Sequence, residues 1–114
     1  MSAVTTHVLD TSRGLPAVGV PVVLERRVAP DEWREVRRGE TDADGRVRSL
    51  LPAGSPLVAG TYRLTFDTRR YFDAQGTATF YPSVIVVFDA AATETHYHVP
   101  LLLSPFGYST YRGT

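Results

Sequence analysis

Residues 95–112 read THYHVPLLLSPFGYSTYR. One run of aromatic, β-branched and aliphatic residues is followed by Pro and Gly at a turn and by a second, shorter run. Such residues suit a pleated, half-buried backbone, whereas Pro and Gly set or permit the dihedrals of a reversal. The stretch therefore predicts two strands, THYHVPLLL and YSTYR. Working outward, the same pattern recurs in AVTTHVLD (3–10), VPVVLERRV (20–28), WREVRRGET (33–41), GRVRSL (45–50), TYRLTFD (61–67) and PSVIVVFDA (82–90). SRGLPA, DADG and LPAGSP punctuate the runs. Eight short strands with regular turn signals point to an all-β sandwich of two four-stranded antiparallel sheets. Only DTRRYFDAQG reads as helix: Asp67 or Thr68 as N-cap, Tyr71 and Phe72 as apolar anchors and Gly76 as the stop predict a helix over 68–76. The expected core comprises Val8, Val22, Leu24, Leu64, Phe66, Val86, Phe88 and Leu102; a one-residue slip in register would swap faces.

The chain has 114 residues, of which 43% are hydrophobic, which suits one domain spanning 1–114 and is too short for two. Twelve basic and twelve acidic residues cancel to a formal net charge of zero, without a block of like charge. The electrostatic footprint of a nucleic-acid or anionic-membrane binder is missing, so neither partner is expected. With no cysteine, disulfides, thiolate nucleophiles and thiolate metal sites are excluded together. The start MSAVTTHVLD has no basic stretch ahead of an apolar one, and runs such as SVIVVF and VPLLL are too short to span a bilayer. A soluble, cytoplasmic protein is the expectation.

The residues able to carry chemistry are His7, Arg46, His96, His98 and the segment Tyr111, Arg112, Gly113, Thr114. Side chains alternate along a strand, so His96 and His98 project from one face, with Tyr97 and Val99 on the other. Two imidazoles on a half-exposed face are as compatible with bonding to polar neighbours as with function. One H-x-H without a third ligand does not make a zinc site, and no metal is expected. Arg46 follows the turn TDADG at the start of the next strand, where an isolated arginine ordinarily pairs with a nearby acid, here Asp42 or Asp44. DADG also matches part of a calcium loop, but RVRSLLP supplies no glutamate downstream. No G-x-S-x-G elbow, phosphate-cradling glycine loop or H-E-x-x-H helix is present.

Taken in order, HVLDTSRGLPA, TDADGR, GTYRLTFDTRRYF, HYHVPLLLSP and YSTYRGT resemble the 5-hydroxyisourate hydrolases, the transthyretin-related enzymes of purine breakdown. The resemblance covers essentially the whole chain. Transthyretin, the hormone carrier of the same fold, is similar in scaffold but lacks the histidine of HVLD, the arginine of DGR, the second histidine of HYHVP and the YRG element.

The resemblance implies that His7, Arg46 and His98 are catalytic, that Tyr111, Arg112, Gly113 and Thr114 contact substrate, and that His96 supports them. Thr114 stands where the family usually has serine, another hydroxyl. It implies hydrolysis of 5-hydroxyisourate to 2-oxo-4-hydroxy-4-carboxy-5-ureidoimidazoline, with His7 or His98 activating water, Arg46 polarising a ring lactam carbonyl, and no cofactor. It also implies a homotetramer, a dimer of dimers with the sites at the dimer–dimer interface. The residues at the end of the sequence, its carboxylate included, would then be wall and ligand of the site. The alternatives are a transthyretin-like carrier of a small ligand without catalysis, and a structural sandwich with no small-molecule site.

Overall fold

The structure, a computed structural model, describes residues 3–51, 57–91 and 96–114. The turn signal LPAGSP and the start of THYHVPLLL lie largely outside them. In chain order the elements are β1 Val4–Asp10, β2 Leu15–Pro16, β3 Pro21–Ala29, β4 Glu32–Glu40, β5 Arg46–Val47, β6 Gly60–Phe66, α1 Thr68–Asp73, β7 Val84–Ala90, β8 Tyr97–Ser104 and β9 Gly107–Thr110. They form two sheets, one ordered β2-β1-β8-β9 with β5 also paired to β1, the other ordered β4-β3-β6-β7.

The two-sheet sandwich with one short helix is the expected architecture, with five strands and four rather than four and four, and the five-stranded sheet is mixed rather than antiparallel, because β1 runs parallel to β8. The added strand is β2. This two-residue piece pairs with Leu9 and Asp10, while β5 pairs with Thr6 and His7, so the two lie end to end along one edge of β1. Its sequence, a Leu and a Pro inside SRGLPA, carries no alternation and reads as turn. The helix stops at Asp73 with Ala74 as C-cap, short of Gly76, whose φ of 66° closes the following turn. Asp67 is the N-cap, accepting from the Arg70 N–H.

Strict alternation makes the core. Val4, Thr6, Val8 and Asp10 of β1 point inward and are fully buried, as are Val22, Leu24, Leu64 and Phe66 of the facing sheet. Val86 and Phe88 are partly buried against this cluster. Tyr62 stacks on Phe88 at 5.9 Å, and Phe88 meets Tyr97 of the opposite sheet at 6.2 Å, joining the layers. Leu102 departs from the expected core. Leu101 and Leu103 are buried instead, because the alternation that sets His98 against Tyr97 and Val99 continues down β8 and puts Leu102 on the outer face with His98. Each large aliphatic side chain so buried contributes about 1.5–3 kcal/mol.

Two polar devices pin β1. Asp10 is fully buried. Burial raises its pKa, but hydrogen bonds from the Ser12 hydroxyl, the Tyr71 hydroxyl and the Arg13 and Ser12 N–H groups outweigh this and hold it below its ordinary value. On the other side the Val8 N–H donates to the Gly45 carbonyl at 2.7 Å. Gly45 has a φ of 76°, and a Cβ there would fall on the Val8 carbonyl oxygen, so only glycine closes the DADG turn against β1.

Candidate active site

Most of the candidate residues gather on the outward face of the five-stranded sheet, where β1, β5 and β8 lie side by side. β1 runs parallel to β8 with Thr5 opposite His98 and His7 opposite Pro100; on its other side β1 runs antiparallel to β5 with His7 opposite Arg46. In each case the inward neighbours, Thr6, Val47, Tyr97 and Val99, are in the core. Thr5, His7, Arg46 and His98 therefore stand outward by parity.

Arg46 reaches this face, and among the described residues no ion pair joins its guanidinium to an acid. The arginine that pairs with the turn is Arg48, which contacts Asp42 at 3.0 Å and Asp44 at 3.3 Å. Asp42 is otherwise occupied by the Arg46 and Asp44 N–H groups at 3.0 and 2.9 Å. The pairing expected for Arg46 thus belongs to the residue two positions on.

Both histidines are shifted toward the neutral form. Burial lowers the pKa of His98 first, followed by the charge of Arg46 and the neighbouring His96 and His7. Burial and then Arg46 lower that of His7, against the Asp44 backbone and the charges of Asp42 and Asp44, which raise it. His96 lies just before β8 rather than inside it, and its ring runs nearly parallel to that of His98 at 6.4 Å. The two gain no third ligand: among the described residues no group of three or more histidine, aspartate or glutamate side chains is placed to hold a metal ion.

The segment 111–114 crosses the edge of the sandwich. Arg112 lies over the Tyr97 ring at 4.8 Å and, with Tyr111, Phe88 and Asp89, lines a cavity of about 500 Å³ on that edge. Gly113 then pairs with His98, its N–H donating to the His98 carbonyl at 2.8 Å. Thr114 is delivered to a cleft of about 500 Å³ shared with Thr5, Arg46, His96 and His98. His7 and Arg46 border an adjoining cleft with Asp44. Arg46, His98 and Thr114 are thus brought together with His7 alongside, while Tyr111 and Arg112 sit around the edge. Sequence reasoning missed Thr5, although its parity with His7 on β1 was a usable signal.

The arrangement offers a planar donor fork, an imidazole held toward its neutral form and a hydroxyl around one open cleft, with His7 in the adjoining one, which suits a flat, hydrogen-bonding molecule and general-base chemistry. A family model described as HIUase/Transthyretin family matches residues 4–113. A curated relative, 5-hydroxyisourate hydrolase from Mus musculus, is 50% identical over 99% of this chain and 96% of its own length. Among solved structures, Klebsiella pneumoniae 5-hydroxyisourate hydrolase superposes with a TM-score of 0.85 at 36% identity, covering 100% of this chain and 94% of that one. Transthyretin from Sparus aurata superposes with a TM-score of 0.91 at 35% identity, covering 99% and 97%. Fold, matched length and relatives agree: this chain belongs to the HIUase/transthyretin family.

Proposed function

We propose that the chain hydrolyses 5-hydroxyisourate to 2-oxo-4-hydroxy-4-carboxy-5-ureidoimidazoline, opening the six-membered ring by attack of water on a lactam carbonyl. The observation that carries this reading is the convergence of Arg46, His98 and Thr114 on one cleft, with His7 opposite Arg46 in the sheet. The same reading is supported by relatives named 5-hydroxyisourate hydrolase that match nearly the whole chain.

His98 takes a proton from water as the oxygen bonds to the carbonyl carbon. The Arg46 fork stabilises the negative charge that builds on the carbonyl oxygen. The carbon–nitrogen bond then breaks, and the imidazolium returns its proton to the departing nitrogen. His7 lies beside Arg46 and keeps a second neutral imidazole at the reacting edge, while Thr114 and Arg112 orient the ring. No cofactor takes part. The cleft is open on an outer sheet face, and Leu15, Val18 and Phe106 are exposed to 49%, 53% and 70%. These features suit a homotetramer whose dimer–dimer interface closes the sites. The enzyme is assigned to the cytoplasm; among the described residues no helix is long and apolar enough to cross a membrane.

The test is to generate 5-hydroxyisourate in place with urate oxidase and follow its absorbance. Loss well above the buffer rate is expected. Loss at the buffer rate, with the protein folded, would refute the activity and leave a small-ligand carrier as the reading.

A further inference from the structure

The hydroxyl of Thr5 stands between two imidazoles. Its Oγ1 lies 2.8 Å from Nδ1 of His98 and 3.0 Å from Nε2 of His96. A hydroxyl has one proton to give and two lone pairs, so it donates to at most one of the rings, and toward His98 it either donates or accepts. The two orders have opposite consequences for His98. If Oγ1–H donates to Nδ1, the ring proton sits on Nε2, which then cannot take another from water. If Nδ1–H donates to Oγ1, the lone pair is on Nε2.

The chemistry proposed for the cleft selects the second order, because only it leaves His98 a lone pair with which to take a proton from water. In that order Oγ1 accepts from Nδ1–H of His98 and donates its own hydrogen to Nε2 of His96. The influence of the Thr5 backbone on His98, which favours the protonated ring, agrees with it. The opposite edge of His98 is turned toward the segment that brings Thr114 to the cleft: its Cδ2 is the ring atom nearest to where a side chain on Gly113 would sit, and Nε2 adjoins Cδ2.

We propose that Thr5 is a positioning residue, linking His96 to His98 and fixing His98 as the tautomer whose Nε2 lone pair is turned toward the substrate. The bridge from His96 through Thr5 to His98 stands on the geometry alone, whereas the choice of tautomer and its effect on rate rest on the function proposed above.

The experiment compares the parent with Thr5→Val, which keeps the β-branched shape and removes the hydroxyl, and Thr5→Ser, which keeps the hydroxyl. Long-range ¹H–¹⁵N spectra of ¹⁵N-labelled protein at about pH 8, above the ordinary imidazole range, report which ring nitrogen is protonated. The parent should show His98 with its proton on Nδ1. Thr5→Val should move the population toward Nε2–H and lower kcat on the order of tenfold with KM little changed, and Thr5→Ser should restore both. A parent His98 protonated on Nε2 would overturn the proposal, as would a Thr5→Val protein with the tautomer and kcat of the parent. A parent with the Nδ1–H tautomer but no hydrolysis would support the Thr5 geometry and remove the proposed activity instead.

Discussion

A single methyl at Gly113 tests whether residues 111–114 belong to the site. A Cβ there would lie 2.5 Å from Cδ2 of His98 and 3.2 Å from both Cγ of His98 and Cγ of Pro100. Ordinary contact begins at 3.4 Å, so ring and segment must separate by about 0.9 Å. The ring is held at Nδ1 by Thr5, and the Pro100 carbonyl is tied to the Thr110 hydroxyl at 2.7 Å. The segment is therefore the part that moves. Gly113 is not among the glycines with positive φ, so alanine adds no backbone strain and the methyl is the whole perturbation. Its retreat breaks the bond from the Gly113 N–H to the His98 carbonyl, worth about 1 kcal/mol, and the melting temperature should fall by a few degrees. Thr114 leaves the cleft with it. A misplacement of about 1 Å in a positioned group costs on the order of 10²-fold, so kcat/KM of Gly113→Ala should drop by that order while the sandwich stays folded. Initial rates of 5-hydroxyisourate loss and a thermal melt measure both. A variant with the parent's kcat/KM would show that the crossing of His98 is irrelevant to catalysis and would refute the reasoning.

The histidines make a pH prediction: burial and Arg46 hold both pKa values below the ordinary imidazole value, so the acid limb of kcat/KM should be centred below about pH 6.5. A limb centred above 6.5 would contradict the geometry. The same shifts mean that the unfolded chain binds protons first, so the histidine contribution to stability is complete above about 6.5 and is lost as pH falls, which urea titrations across that range would detect. Arg46→Gln removes a charge that lowers both imidazoles, so the acid limb should move to higher pH while kcat drops on the order of 10²–10³-fold; an unmoved limb would separate Arg46 from the histidines. Tyr71→Phe takes a 2.7 Å hydrogen bond from the buried Asp10 carboxylate and should cost about 1.5–3 kcal/mol in urea unfolding without changing kcat. Removing residues 111–114 should abolish or severely reduce hydrolysis at modest cost in stability, and Thr114→Ser should stay near the parent while Thr114→Ala is slower; full activity in the deletion variant would sink the assignment of Thr114.

Much of this was legible because strands announce themselves by parity. His98 against Tyr97 and Val99, and His7 between Val8 and Thr6, place the imidazoles outward from alternation alone. Leu102 was misplaced because VPLLL has no polar residue to mark a face, and only counting on from His98 shows that Leu101 and Leu103 point inward. The helix was extended to Gly76 because that glycine closes the turn after α1 rather than α1 itself. The missing β2 is two residues long, too short for any period. The acid partners of the DADG turn were assigned to Arg46 when they belong to Arg48, since which of two arginines on a short strand folds back over a turn is a tertiary outcome. Thr5 escaped notice because a hydroxyl gains meaning only once Thr5 and His98 are paired across strands 93 residues apart.

That pairing explains how a core with no chemistry of its own places the groups proposed to react. Arg46, His7, Thr5 and His98 come from three strands, and their spacing is the register of β1 against β5 and β8. A slip of one residue in β1 would turn Thr5 and His7 into the core and expose Val8 and Asp10. The slip is opposed on every side: Val4 and Val8 are fully buried, the Thr6 hydroxyl donates to the Val99 carbonyl at 2.6 Å, and the Val8 N–H donates to Gly45. Asp10 receives four donors that no neighbouring position would meet. Each of these contacts ties β1 to the core or to a neighbouring strand, and together they fix where the imidazoles stand. Substitutions at Thr6 or Asp10 should therefore lower stability and activity together, whereas those at His98 or Arg46 should lower activity alone.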